Sequence, residues 1–258
     1  MENMVRTEGG ELWADDTGGD GLPLVLLHPG IADSRVWDGV APSFAERYRV
    51  IRYDSRGYGR SPAPTTKYSL AADLRAVLDH FEVPRAVLAG SSMGGATAIS
   101  LALDDPARVA ALALLVPGIT GHPGLEMPEL MARIGELAKA GDMDGLLALA
   151  LKSWAAAGTP PDTEAAELVR AAIPAWFTTY GHQQEDPPAY PRLGELAMPC
   201  TLLLGEQDMP RTVRCNEDMA AAIPGCRLVR RADCDHLPTL RAPDAVRDLV
   251  LELYARVD

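Results

Sequence analysis

The sequence predicts an open, mostly parallel β-sheet with helices on both faces, interrupted by one long helical insertion. Three observations carry this α/β class. Short apolar runs recur along the chain, and the middle ones, such as LPLVLLH (22–28), AVLAGS (86–91) and CTLLLG (200–205), are apolar throughout instead of alternating. Parallel strands covered on both faces have that signature. Helical segments separate the runs, and strand–helix–strand alternation specifies a sheet with helices packed on either side. Between about Gly118 and Leu196 the alternation stops, and helical segments follow one another with no strand pattern.

Taken in order, MVRT (4–7), GELWADD (10–16), LPLVLLH (22–28) and YRVIRYD (48–54) read as the first strands. In YSLAADLRAVLDHF, Ser69 suits an N-cap, and Leu70, Leu74, Val77, Leu78 and Phe81 form one apolar stripe. AVLAGS then runs into a glycine-rich cluster from which a helix starts, and VAALALLV (109–116) is the next strand. The insertion holds ELMARIGELAKAG, MDGLLALALKSWAAAG and TEAAELVRAAIPAWF, is interrupted by TPP and is followed by PPAYP. CTLLLG and CRLVRR (226–231) resume the sheet. In the last helix, APDAVRDLVLELYARV, Pro243 suits the first turn. The expected organisation is a core formed by residues 1–118 and 197–258, with residues 119–196 as a helical cap over one edge of the sheet.

At 258 residues, 47% apolar and 23% charged, the chain suffices for one α/β domain with an insertion. A net charge of −12 argues against nucleic acid, which needs a basic surface, and against a polybasic membrane anchor. MENMVRTEGGELWADD has no apolar h-region, and no run approaches the length of a membrane span. The four cysteines, Cys200, Cys215, Cys226 and Cys234, show neither CxxC nor Cys/His ligand spacing. They read as reduced thiols in a cytoplasmic protein, with no metal site. The expected partner is a small-molecule substrate, with no nucleic acid and no membrane; the composition is compatible with a homo-oligomer.

The stretch AVLAGSSMGGATAISLAL (86–103) concentrates the chemistry. Gly90-Ser91-Ser92-Met93-Gly94 places glycines two residues before and two after Ser92, where a sharp strand-to-helix turn leaves no room for side chains. Centred on Ser91, the same positions would hold Ala89 and Met93, and a methionine fits poorly there. Ser92 is therefore the nucleophile candidate. The plain alternative is a glycine-rich turn that packs a helix against a strand. A phosphate loop is disfavoured because neither G-x-G-x-x-G nor a GK[ST] ending is present.

A serine hydroxyl needs a base, and the base needs a third group to hold its tautomer. Of the five histidines, His28 ends a strand, His80 is on a helix, and His122 and His182 are in the insertion. His236, in ADCDHLPTLRAPDAV, follows the last strand and so emerges at the edge where Ser92 must sit. TLLLGEQDMP offers two carboxylates just past its strand; Asp208 is the preferred acid and Glu206 the alternative. PGITGHPG, the other place where an acid could stand, has no carboxylate. The order Ser92, Asp208, His236 is the one expected of a strand-end Ser-acid-His arrangement. An oxyanion hole needs two N–H donors. Met93, at the start of a helix, supplies one, and Gly30 in HPGIADSRVWD the other.

LLHPGIADSRVWD, RYDSRGYGRSPAP, GSSMGG, GEQD and DHLPTLRAPDAV together resemble the α/β-hydrolase family in order and spacing, over roughly residues 10–118 and 197–256. Within it the chain is similar to enol-lactone hydrolases and to cofactor-free haloperoxidases and esterases. It departs from the family in HPG, where many members carry His-Gly, so the donor is counted two residues past His28 to Gly30. The resemblance implies that Asp54, Arg56 and Gly57 shape a loop near the site. It also implies an α/β-hydrolase fold and hydrolysis of a small carboxylic ester or lactone through an acyl-enzyme on Ser92, with no metal or organic cofactor. A serine nucleophile excludes the branches that use aspartate. Two other readings stay open: the same residues used for thioester or C–C hydrolysis or a lyase or cyclase step, and a hydrolase-fold ligand-binding protein. Trp154, Trp176, Phe177, Tyr180, Met127 and Met131 of the insertion are candidates to line a substrate pocket, two or three of them reaching ligand. Trp37 beside the oxyanion loop is a further candidate for substrate contact.

Overall fold

The computed structural model describes residues 1–257. The elements run β1 (Glu2–Thr7), β2 (Gly10–Asp16), β3 (Leu24–Leu27), α1 (Ala41–Ala45), β4 (Val50–Tyr53), α2 (Leu70–His80), β5 (Ala86–Ser91), α3 (Met93–Asp104) and β6 (Val109–Leu115). Then come α4 (Pro128–Ala140), α5 (Met143–Trp154), α6 (Thr163–Thr178), β7 (Cys200–Gly205), α7 (Pro210–Ala222), β8 (Arg227–Arg231), α8 (Pro238–Arg241) and α9 (Pro243–Tyr254).

The strands form one sheet in the order β1-β2-β4-β3-β5-β6-β7-β8. β1 and β2 pair antiparallel, as do β2 and β4, and every later pairing is parallel. Each parallel connection carries a helix back across a face, which is why the middle strands are buried throughout. Alternate residues feed two separate cores. Leu88 packs with α2 and α3, while Val87 and Ala89 pack with α9 and the insertion. Burying a leucine of this kind stabilises the fold by about 1.5–3 kcal/mol.

Helix α2 starts where Ser69 caps it, its side chain accepting from the Ala72 N–H. The sheet order β3-β5-β6-β7-β8 places five strand ends side by side along one edge, and the loops that leave β3, β5, β7 and β8 carry the candidate site. Helices α4, α5 and α6 occupy the stretch between β6 and β7. An isolated bridge from Tyr68 to Gln183 ties the end of that stretch back to the segment before α2.

Candidate active site

Ser92 stands between β5 and α3 with φ +49° and ψ −110°, a conformation that a non-glycine residue holds only under strain of about 1–3 kcal/mol. The turn is held from both sides. The Ser92 N–H donates to the Leu115 carbonyl at 3.0 Å, and the Ser92 carbonyl accepts from Ala96 and Gly118 at 3.0 Å. The flanking glycines are required by backbone contact. A Cβ on Gly90 would lie 2.4 Å from the Gly94 carbonyl oxygen, and one on Gly94 would lie 2.4 Å from the Leu27 carbonyl oxygen on β3. Ser91 remains in β5 and is buried.

The loop after β8 brings His236 alongside. It crosses the end of β7 so closely that a Cβ on Gly205 would meet the Asp235 carbonyl oxygen at 2.4 Å. His236 Nε2 is 2.7 Å from Ser92 Oγ, and His236 Nδ1 is 2.5 Å from Asp208 Oδ2. Asp208 is buried and acceptor-only when ionised, so Nδ1 carries the donated proton and Nε2 is left to accept from the Ser92 hydroxyl. The other Asp208 oxygen accepts from the Met209 N–H at 2.7 Å. Glu206 turns outward and pairs with Arg230 at 2.8 Å.

Gly30 lies against Met93: a Cβ built on Gly30 would sit 3.8 Å from Met93 Cβ. Neither the Gly30 nor the Met93 N–H donates to an acceptor among the described residues. Two free donors therefore flank Ser92, one of them at the positive end of α3. Asp54 is buried and accepts from Ser34 N–H and Arg60 N–H at 2.9 Å each, which ties the loop after β4 to the segment beyond Gly30. Arg56 pairs inward with Asp73 of α2 at 2.7 Å. Gly57 packs against Thr178 and Thr179 at the end of α6.

Ser92, His236, Gly30 and Met93 open into a cavity of about 890 Å³. Its walls come from both parts of the chain and are chiefly apolar. Met127, Met131, Trp154, Trp176, Phe177 and Tyr180, the six candidates of the insertion, all border it. Trp154 and Trp176 meet edge to face with ring centroids 6.1 Å apart.

Trp37 requires a correction. It ends a short 3₁₀ turn, Ser34–Trp37, that directs the indole into the core with Leu24, Leu26 and Phe44, and it is 0% exposed. It borders no part of the cavity and has no surface for a substrate. Sequence reasoning missed Met209 and Thr212, which border the cavity from the segment after Asp208, and Ile31 beside Gly30. Only their adjacency to candidate residues could have pointed to them.

The remaining histidines and cysteines have other surroundings. His28 is buried beside the Gly30 loop, its Nδ1 on the Pro29 carbonyl, and His122 pairs with Asp218 at 3.0 Å. All four cysteines are free, with the Cys200 and Cys226 sulfurs 3.7 Å apart. Burial pushes the thiol of Cys215 up to about 12 and that of Cys234 to about 11, so neither supplies a thiolate near neutrality. Among the described residues no helix is long and apolar enough to cross a membrane.

A sheet of this order with a strained serine at the β5–α3 turn defines a class, and comparison with known proteins gives the same one. The chain matches the alpha/beta hydrolase fold family over residues 23–159, more than half its length, and it belongs to that family. It is 29% identical to a pimeloyl-(acyl-carrier protein) methyl ester esterase of Methylococcus capsulatus, over 93% of this chain and 97% of that one. A solved N-acyl homoserine lactone degrading enzyme superposes with a TM-score of 0.82 at 28% identity, over 97% of this chain and 99% of the other. The enol-lactonase of Burkholderia xenovorans superposes at 0.85 with 23% identity, over 98% and 100% of the two chains, a likeness of fold.

Proposed function

We propose that the protein is a serine hydrolase that cleaves a carboxylic ester or lactone with an apolar acyl part. The observation that carries this reading is the Ser92–His236–Asp208 chain of hydrogen bonds, at 2.7 and 2.5 Å, opening into a large apolar cavity. In this scheme His236 takes the Ser92 proton as Oγ attacks the substrate carbonyl. Asp208 holds the imidazole in the required tautomer and stabilises the imidazolium. The carbonyl oxygen becomes negative and is held by the Gly30 and Met93 N–H groups. Collapse of the tetrahedral intermediate breaks the bond to the leaving alcohol, which takes the proton from His236 and leaves an acyl-enzyme on Ser92. A water then gives its proton to His236, attacks the acyl carbon and releases the acid, and the proton returns to Ser92.

Residues 119–196 act as the cap. Their apolar side chains complete a cavity that the strand ends alone do not enclose, and excluding water strengthens the two N–H donors. The names of two relatives, a methyl ester esterase and a lactone-degrading enzyme, lend the ester and lactone classes support. The size and apolar lining of the cavity favour an extended acyl chain over an acetyl group.

The test is turnover of aryl esters of increasing acyl length and of simple lactones by the purified protein, with Ser92→Ala as background. The expected result is hydrolysis that grows with acyl length and vanishes in the variant. Wild-type rates no higher than those of Ser92→Ala on every ester and lactone would overturn the reading.

A further inference from the structure

Both peptide planes that flank Gly30 are pinned by side chains. On one side the Pro29 carbonyl accepts from His28 Nδ1 at 2.9 Å and from the Ala32 N–H at 3.2 Å. The His28 ring is itself fixed, because its Nε2 accepts from the Ser55 N–H at 2.9 Å. On the other side the Gly30 carbonyl accepts from Trp176 Nε1 at 2.7 Å and from the Tyr58 hydroxyl at 3.2 Å. Glycine resists rotation of its backbone less than any other residue. The Gly30 N–H lies in the same peptide plane as the Pro29 carbonyl, so His28 and Ala32 set its direction, while the holds on the Gly30 carbonyl keep the flexible glycine itself from shifting.

One of those holds comes from the insertion. Trp176 lies on α6, 146 residues away from Gly30 in the chain. The insertion also grips the loop that carries the base. The His236 N–H donates to the Trp154 carbonyl at 3.2 Å. Buried Asp235 accepts from the Ala157 N–H at 3.0 Å and from Arg241 Nε at 2.9 Å, and Arg241 reaches Asp162 at 2.6 Å. Residues 154–176 thus span the two loops whose relative placement decides whether the charge on oxygen is met by a donor.

We propose that Trp176 is a positioning residue for the oxyanion hole: with Tyr58 it anchors the Gly30 carbonyl and so keeps Gly30, whose N–H is aimed by the Pro29 peptide plane, in place for the developing oxyanion. This rests on the hydrolase reading given above. It assigns to an aromatic of the cavity wall a role in rate, separate from any role in choosing the acyl chain. A wall residue acts on each substrate according to its fit, whereas a clamp on Gly30 acts on every substrate alike.

The experiment uses Trp176→Phe, which keeps an aromatic ring and removes the N–H, and Tyr58→Phe, which removes the second donor to the same carbonyl. For each, kcat and KM are measured on aryl esters of short and long acyl chain. The rate of Ser92 phosphonylation by a fluorophosphonate is measured as well, since that reaction also places negative charge on an oxygen beside Ser92. Trp176→Phe is expected to lower kcat about 10- to 100-fold, less than the 10²–10³ for loss of an oxyanion donor because Tyr58 remains. The factor should be the same for both esters, KM should change little, and phosphonylation should slow in parallel. Tyr58→Phe should lower kcat by a smaller factor with the same pattern.

A Trp176→Phe protein with kcat and phosphonylation within two-fold of wild type overturns the proposal. So does a loss confined to long acyl chains and expressed in KM. If Trp176→Phe does not fold, Tyr58→Phe decides, and an unchanged kcat there overturns the clamp. A wild-type protein that neither hydrolyses esters nor reacts with the fluorophosphonate would instead sink the hydrolase reading on which the clamp rests.

Discussion

Ser92 keeps its left-handed backbone because its neighbours leave nowhere else for the chain to go, and that constraint makes Gly94 a sensitive position. Gly94→Ala sets a methyl group 2.4 Å from a main-chain oxygen of β3, so strand or helix must shift. We predict a loss of about 1–3 kcal/mol in stability, the range for overpacking, together with a displaced Ser92. A urea titration paired with an activity assay checks both. Asp208→Asn should preserve the fold and lower kcat about 10⁴-fold, because an amide at that position favours the wrong imidazole tautomer. Glu206→Gln, on the surface with Arg230, should stay close to wild type in the same assay. The convergence of Ser92, Asp208 and His236 was legible because each follows a strand that points to the same edge. The partners of Gly30 were not legible. Trp176 meets it across 146 residues, a pairing that no local pattern encodes. Trp37 misled for the opposite reason: nearness in sequence suggested nearness to substrate, but the 3₁₀ turn beginning at Ser34 rotates the indole inward.

Among the elements, the apolar strands β3, β5, β6 and β7 could be read directly, since burial on both faces leaves an uninterrupted apolar run. Helix α7 escaped notice for a physical reason. The residues it buries, Thr212, Cys215, Asn216 and Met219, have helical spacing without forming an apolar stripe. Its start shows only as Pro210 in the first turn. A second feature at this scale joins α2 to the loop after β4. Arg56 makes two hydrogen bonds to Asp73, at 2.7 and 2.8 Å, with both side chains almost wholly buried. Burial raises the Asp73 carboxyl above its ordinary value even though Arg56 pulls it down, so desolvation outweighs the partner. Such a pair contributes little net stability, yet breaking it is costly because a buried charge is left alone. Asp73→Ala is expected to lower unfolding stability by about 3–5 kcal/mol in urea or thermal denaturation. Arg56→Met with Asp73→Leu should recover much of that loss.

For the whole molecule, the sheet carries the candidate triad at its edge while residues 119–196 supply much of the wall above it. Acyl preference should therefore change when the wall changes without touching Gly30 or the His236 loop. Ile134 on α4 borders the cavity and is only partly buried, so a larger ring there can grow into the empty volume. Ile134→Trp should shift kcat/KM from long toward short acyl esters by about 1–3 kcal/mol, the range for a reshaped apolar pocket. A panel of acyl lengths measures it. The sheet and the insertion were foreseeable from patterning, but the volume and course of the cavity were not, because they depend on how α4, α5 and α6 pack above the strand ends. The proposed chemistry turns on one oxygen atom, Ser92 Oγ. Its most direct test is to treat the full-length protein with a fluorophosphonate and map the modified peptide by mass spectrometry in wild type, Ser91→Ala and Ser92→Ala. The expected result is a single adduct on Ser92, retained in Ser91→Ala and absent from Ser92→Ala. An adduct on Ser91, or equal labelling of Ser92→Ala, would contradict it.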